Sequence, residues 1–384
     1  MAVDTLLRKF LIPEMIYGNG AHQLTGQYAG RFGISNALVV SDPGVVEVGW
    51  TGRIMENLAL AGITAVPFTE ITPNPKDHEV MVGVERYHAA GCDGIVTVGG
   101  GSPMDCAKGI GIVCSNGGHI LDYEGVDQVP MAMPPLICVP STAGSAADVS
   151  QFAIITDTAD RRKVAIISKS VVPDLALIDP LLTTTMPAEL TACTGMDALV
   201  HAIEAYVSNA SSSFTDLHAL HAIRLVTRHL AEAIEKPASL EARNGMMLAS
   251  TQAGMAFSNA SLGAVHAMAH SLGGLIDSPH GECNAQLLEH VIAYNYGSAA
   301  ERYQEVSHAM GINCPAGQDS CTALTAGIRT LRMSIGITRT ISAPGIQYEQ
   351  IPTLAEKAML DACMVTNPRR PTQKDIEKIY AAAF

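Results

Sequence analysis

The sequence predicts an α/β domain with a parallel, doubly wound sheet over residues 1–185, followed by an all-helical domain over residues 186–384. Three observations predict it. In the first half, short β-branched runs alternate with helical stretches, the order in which helices join successive parallel strands. One of those strands, Gly94-Ile-Val-Thr-Val98, runs directly into Gly99-Gly100-Gly101 and then into a helical stretch. After Pro187 the strand-like runs disappear, and helical periodicity continues to Phe384.

The elements of the first half follow in order. Ala37-Leu-Val-Val40 reads as a buried strand, and Ser41-Asp42-Pro43-Gly44 after it as a turn. Met55 to Gly62 ends a helix at glycine. Thr64-Ala-Val-Pro-Phe68 is the next strand, Pro73-Asn74-Pro75 a turn, and Lys76 to Ala90 a helix. The helix after the three glycines spans Ser102 to Val113, with Pro103 suited to its first turn. Pro135 to Val139 is a further strand. Val149–Ile155 and Lys163–Ser168 form a hairpin-like pair, and Leu175–Ile178 is a last short strand. In the second half, Ser208-Asn-Ala-Ser-Ser-Ser213 is a polar loop between helices, too short to be a linker.

Composition narrows the function. The 384 residues are 48% hydrophobic, enough for large packed cores, and the formal charge of −13 opposes binding to polyanions, so nucleic acid is excluded as a partner. No apolar run reaches the length of a membrane span, and charges interrupt the apolar residues of the first ten positions where a signal peptide would need continuity. The nine cysteines are scattered without a C-x-x-C pair, which fits reduced thiols in a cytoplasmic protein. Cys283 lies near a histidine-rich stretch, where a small buried residue and a ligand are both conceivable roles.

Two constellations carry chemistry. Gly99, Gly100, Gly101 and Ser102 sit where a strand turns into a helix. Glycines there let a phosphate approach the backbone, and the helix start offers unpaired N–H groups. A tight turn without a ligand is the plainer alternative. The pattern is not G-x-G-x-x-G, and the candidate ribose acid, Asp42, precedes the glycines instead of following them. A carboxylate at that place would accept from ribose hydroxyls and repel a 2′-phosphate, favouring NAD over NADP.

The second constellation is histidine-rich. Asp197 and His201 lie one helical turn apart, as do His266 and His270, with His280 shortly after. Each pair alone is compatible with a structural hydrogen bond. Asp197, His201, His266 and His280 together make a donor set suited to Fe(II), Zn(II) or a similar divalent ion. Thr194 is the expected N-cap of the first of these helices.

In Gly99-Gly-Gly-Ser-Pro-Met-Asp-Cys-Ala-Lys108, Ser141-Thr-Ala-Gly-Ser145, Ala192 to Tyr206, Gly263 to Gly281 and Thr366-Asn-Pro-Arg369, the chain closely resembles the iron-containing (group III) alcohol dehydrogenases. That family includes lactaldehyde:propanediol oxidoreductase and 1,3-propanediol dehydrogenase. The resemblance covers essentially the whole length. It implies a Rossmann-like NAD-binding domain and an all-α metal-binding domain in a dehydroquinate synthase-like architecture, with the active site between them. It implies Fe2+ at Asp197, His201, His266 and His280, with Zn2+ or another divalent ion as the alternative. It implies NAD at Asp42, Asn74, Gly99, Gly100, Gly101, Ser102, Thr142, Ser145 and Lys163. His270 matches a histidine near the nicotinamide, either relaying the alcohol proton or only packing there. The implied activity is hydride transfer between a short-chain primary alcohol or diol and NAD. The alternative is a regulatory paralogue that senses alcohol or redox state with the same sites. A homodimer through the strand around Glu14-Met-Ile-Tyr17, or a larger homo-oligomer, is also implied. Ser145, Asp148 and Ile276-Asp277-Ser278 depart from the common family pattern and bear on substrate preference.

Overall fold

The computed structural model describes residues 7–314, 317–343 and 345–384. The first six residues, part of the stretch read above as lacking signal-peptide order, lie outside the described residues. The chain divides into two compact units, one of Ile12–Met186 and one of Pro187–Phe384 joined by the residues up to Leu11.

The first unit is built on a six-stranded parallel sheet. Its strands in chain order are β1 (Glu14–Tyr17), β2 (Asn36–Val40), β3 (Thr64–Phe68), β4 (Gly94–Gly99), β6 (Leu136–Pro140) and β9 (Leu175–Ile178), and their order across the sheet is β1-β9-β6-β4-β2-β3. A small second sheet holds β5 (Gly125–Val126) beside the antiparallel pair β7 (Phe152–Asp157) and β8 (Arg162–Ile167), the expected hairpin with shifted ends. The helices of this unit are α1 (Thr25–Arg31), α2 (Pro43–Glu47), α3 (Trp50–Leu60), α4 (Asp77–Ala90) and α5 (Gly101–Asn116).

Central strands of a parallel sheet are covered on both faces, so they read as unbroken apolar runs. All of β4, β6 and β9 is buried, and alternate residues serve opposite cores. Leu38, Val40 and Ile95 face the core that holds Ile110 of α5 and Val84 of α4. Val39, Val96 and Val98 face the core that holds Ile54 and Leu58 of α3. Ser41-Asp42-Pro43-Gly44 is a helix start and not an isolated turn. Asp42 N-caps α2 by accepting from Val45 N–H at 3.0 Å, and Pro43 occupies the first helical position.

The second unit is helical throughout its described residues: α6 (Ala188–Val207), α7 (Ser213–Glu235), α8 (Leu240–Ala260), α9 (Ala264–Ile276), α10 (His280–Asn295), α11 (Ala300–Ala309), α12 (Ser320–Ser334), α13 (Ile351–Leu360) and α14 (Gln373–Ala383), with short 3₁₀ turns between some of them. None of them is long and apolar enough to cross a membrane. Helix α6 is central and buried from Thr191 onward apart from Thr194. Thr194 is not its N-cap: the helix begins two turns earlier after Pro187, and Thr194 Oγ1 donates back to Leu190 O at 2.8 Å. The expected boundary also placed the first eleven residues with the α/β domain. Of these, residues 7–11 group with the helices: Leu11 N–H donates to Asn259 Oδ1 at 2.7 Å while Asn259 Nδ2 donates to Leu11 O, and Phe10 stacks against His218.

Close helix contact in the first unit depends on Gly26, where a Cβ would stand 2.2 Å from Asn57 O and 2.8 Å from Ala61 Cβ. Backbone cannot yield as a side chain can, so Gly26→Ala is expected to destabilise this unit by about 1–3 kcal/mol. A urea titration followed by the fluorescence of Trp50, the one tryptophan of the chain, measures it, because Trp50 heads α3 in the same unit.

Candidate functional site

In the α/β unit the glycine loop joins β4 to α5. Gly100 is the N-cap residue and supplies no side chain to the helix start, so the first N–H groups of a 16-residue helix remain available to an anion. The glycines are required by close neighbours. A Cβ on Gly99 would meet Pro103 Cγ at 2.3 Å, one on Gly100 would meet Thr142 Oγ1 at 3.1 Å, and one on Gly101 would meet Ser145 Cβ at 3.0 Å. Thr142 and Ser145, distant in sequence, therefore stand directly over the loop. Asp42 reaches the same place because β2 is the parallel neighbour of β4, and its Oδ2 lies 3.4 Å from where a Gly99 Cβ would be. The order of acid and glycines along the chain is thus irrelevant to their proximity. Burial raises the Asp42 carboxyl above its ordinary value, partly offset by the N–H groups of Val45 and Gly44.

Asn74, Ser102 and Lys163 form an adjoining chain. Asn74 N–H donates to Ser102 Oγ at 3.1 Å, Lys163 Nζ donates to Asn74 Oδ1 at 2.7 Å, and Asn74 holds a left-handed backbone with φ 56°. All nine residues expected at a dinucleotide thus lie on or beside one helix start. A cradle of hydrogen-only surfaces, free helix N–H groups and one flanking carboxylate fits a pyrophosphate with its ribose.

The helical unit brings together Asp197, His201, His266 and His280. Asp197 Oδ1 lies 3.9 Å from His201 Nε2, 3.8 Å from His266 Nε2 and 3.7 Å from His280 Nε2. Donors about 2.1 Å from a tetrahedrally held ion stand roughly 3.4 Å apart, so each histidine nitrogen stands within a few tenths of an ångström of the separation from Asp197 Oδ1 that a shared cation would require. The ligand atoms of Asp197, His201 and His266 all fall within 4.8 Å of one another, a set that does not include His280, which meets the group through Asp197. Burial by itself would raise the Asp197 carboxyl, but the neighbouring His201, His280 and His266 hold it far below the ordinary carboxylate range. Burial likewise opposes charge on His266, yet the adjacent Asp197 carboxylate and the hydrogen bond to Glu204 push its imidazole up to about 9. The pocket between these groups favours positive charge, and one carboxylate with three imidazoles suits a divalent ion of intermediate softness.

Glu204 is a residue the sequence reading assigned no role. Its carboxylate accepts from His266 Nδ1 at 2.6 Å, from Val265 N–H at 2.7 Å and from Gly263 N–H at 3.1 Å. It therefore caps the start of α9 and fixes the His266 tautomer, leaving Nε2 toward Asp197. A signal was available: Asp197, His201 and Glu204 are spaced i, i+4, i+7 on an otherwise apolar helix. Asn284 and Asp361 were missed as well. Asn284 sits one turn after His280 on the same face, and its Nδ2 donates to Asp197 Oδ1 at 2.8 Å. Asp361 accepts from His270 Nδ1 at 2.8 Å and lies 91 positions away, with no local pattern to announce it.

His270 stands beside the group and not in it. Its ring is stacked on His280 at 5.2 Å between centroids and is edge-on to His266 at 6.1 Å. Burial raises the Asp361 carboxyl, but His270 and the Cys363 N–H more than compensate and bring it below the ordinary value. Cys283 is buried and is not among the residues whose ligand atoms converge.

Residues 13–180 match the family model described as iron-containing alcohol dehydrogenase, and residues 191–384 match the C-terminal model of the Fe-containing alcohol dehydrogenase family. The chain is 40% identical over 380 residues to 1,3-propanediol dehydrogenase of Citrobacter freundii, covering 98% of each chain. It superposes on a crystal structure of 1,3-propanediol oxidoreductase with a TM-score of 0.94 at 39% identity, covering 99% of this chain and 100% of the other. It also superposes on sulfoacetaldehyde reductase from Bifidobacterium kashiwanohense in complex with NAD+, with a TM-score of 0.86 at 29% identity and coverage of 98% and 99%.

Replacing Glu204 with Gln puts amide hydrogens against N–H donors that now meet a carboxylate. Glu204→Gln is expected to weaken divalent-metal binding by about 10–100-fold, measured by competition with a chelator.

Proposed function

The chain belongs to the iron-containing alcohol dehydrogenase family and is an alcohol–aldehyde oxidoreductase; from that premise we propose that it transfers a hydride between a short-chain primary alcohol or diol and NAD, using a divalent ion, foremost Fe2+, held by Asp197, His201, His266 and His280. The observation that carries this reading is the single carboxylate oxygen, Asp197 Oδ1, facing three imidazole nitrogens at nearly equal distances. An ion bound there supplies Lewis acidity that lowers the pKa of an alcohol or polarises an aldehyde carbonyl.

The residues of the chain do the rest. The loop of Gly99, Gly100, Gly101 and Ser102 receives the cofactor pyrophosphate, with Thr142 and Ser145 above it and Asn74 and Lys163 at its side. Asp42 accepts from ribose hydroxyls and disfavours a 2′-phosphate. Glu204 keeps His266 in the metal-binding tautomer. His270, its Nδ1 held by Asp361, carries the alcohol proton away from the site through its other nitrogen. The similar proteins bear enzyme names, and nothing in them favours the regulatory alternative.

The assembly and compartment belong to the same proposal. Strand β1 is an edge strand of the large sheet, a position that supports a homodimer formed there. Nine cysteines, none of them in a disulfide among the described residues, support a reducing, cytoplasmic setting.

The test is NADH formation by protein loaded anaerobically with Fe2+ or Zn2+, over a panel of short alcohols and diols. His266→Ala is expected to lose both metal and turnover while NAD binding stays measurable; full turnover in a demonstrably metal-free variant would sink the reading. His270→Ala is expected to keep its metal and lower kcat by about 10²–10⁴-fold, the usual range for removing a group that transfers a proton. An unchanged kcat reduces His270 to a packing role.

A further inference from the structure

Asn284 is fully buried on α10, one helical turn beyond His280. Its Nδ2 lies 2.8 Å from Asp197 Oδ1, 3.1 Å from His266 Nε2 and 3.2 Å from His280 Nε2. One amide thus touches three of the four groups that converge. Its other end, Oδ1, is buried without a hydrogen-bond partner among the described residues. Buried amides normally use both ends, and leaving one unmet costs about 1–3 kcal/mol. A leucine would fill a similar space without that cost, so packing alone does not account for the residue.

A half-turn about the terminal side-chain torsion exchanges the two ends of the amide. That places Oδ1 against the same three groups. An N–H donor and a cation compete for the same lone pairs, whereas a carbonyl oxygen is a ligand for divalent ions. We propose that Asn284 is a fifth member of the cation site and supplies its amide oxygen to the ion held by Asp197, His201, His266 and His280. The inference rests on that ligand set. A neutral oxygen added to one carboxylate and three imidazoles raises the coordination number without adding charge. It biases the site toward ions that take five or six N/O ligands, Fe(II) and Co(II), and away from four-coordinate Zn(II).

Co(II) is the probe. Chelator-stripped wild-type protein, Asn284→Ala, Asn284→Asp and a His201→Ala control are titrated with Co(II), reading affinity by chelator competition and coordination by visible ligand-field absorption. Circular dichroism confirms that each variant is folded. Asn284→Ala is expected to bind Co(II) about tenfold or more weakly. Its ligand-field bands gain intensity as the coordination number falls. Asn284→Asp, which keeps an oxygen at the same reach, retains wild-type affinity or exceeds it and keeps the wild-type band shape. Superimposable spectra of wild type and Asn284→Ala overturn the proposal even at reduced affinity, because the amide then only props Asp197. If His201→Ala loses Co(II) while Asn284→Ala binds as wild type, the four-ligand reading stands and the role of Asn284 alone falls. If wild type binds no Co(II), both fall together.

Discussion

A single carboxylate buried among imidazoles sets the terms for the helical unit. Asp197 has little exposure to water, so its charge must be met inside the protein. Three histidines and one amide meet it through one oxygen, Oδ1. Taking any of these groups away leaves charge or lone pairs uncompensated in a medium where such a loss is expensive. That requirement ties α6, α9 and α10 to one another at the point where chemistry is proposed.

The backbone around that point is shaped to allow it. A Cβ on Gly281, beside His280, would stand 2.1 Å from Cys193 O of α6, so only glycine lets α10 come this near Asp197. A Cβ on Gly263 would crowd Glu204 Oε1 at 2.8 Å, and Glu204 needs that approach to reach both the start of α9 and His266. Asn367 assists from the far end of the chain by accepting from Ala264 N–H at 3.1 Å and pairing its amide with that of Asn295. Small residues and caps here serve the placement of imidazoles more than helix stability.

The α/β unit solves a different problem with similar means. Its buried parallel strands can offer a ligand only the backbone at their carboxyl ends, and β4 does so through three glycines roofed by Thr142 and Ser145. The buried ammonium of Lys108 stiffens the helix that follows. It donates to Ser150 O at 2.9 Å and Phe152 O at 2.7 Å and so fastens α5 to the start of β7. Burial lowers the pKa of Lys108 while the nearby Asp105 opposes that shift.

By itself the sequence determined the layered class of each unit, the strand-to-glycine-to-helix junction, and the four-residue spacings that put Asp197 with His201 and His266 with His270 on common helix faces. Those features are local: period, turn chemistry and one-turn spacing are written within a few residues of one another. It left open whether Asp42 was more than a turn residue, which imidazole nitrogen each histidine presents, and which acid or amide supports it. The tertiary structure decided these. Strand order makes β2 the neighbour of β4 and so carries Asp42 to the glycines, and α6 lays Glu204 against His266 across 62 positions of chain. The same packing sets Asp361 behind His270 and holds Leu11 to Asn259 of the helical unit. Contacts of that range have no period to betray them, because they arise only when separate elements are folded together and a buried charge must find its partner.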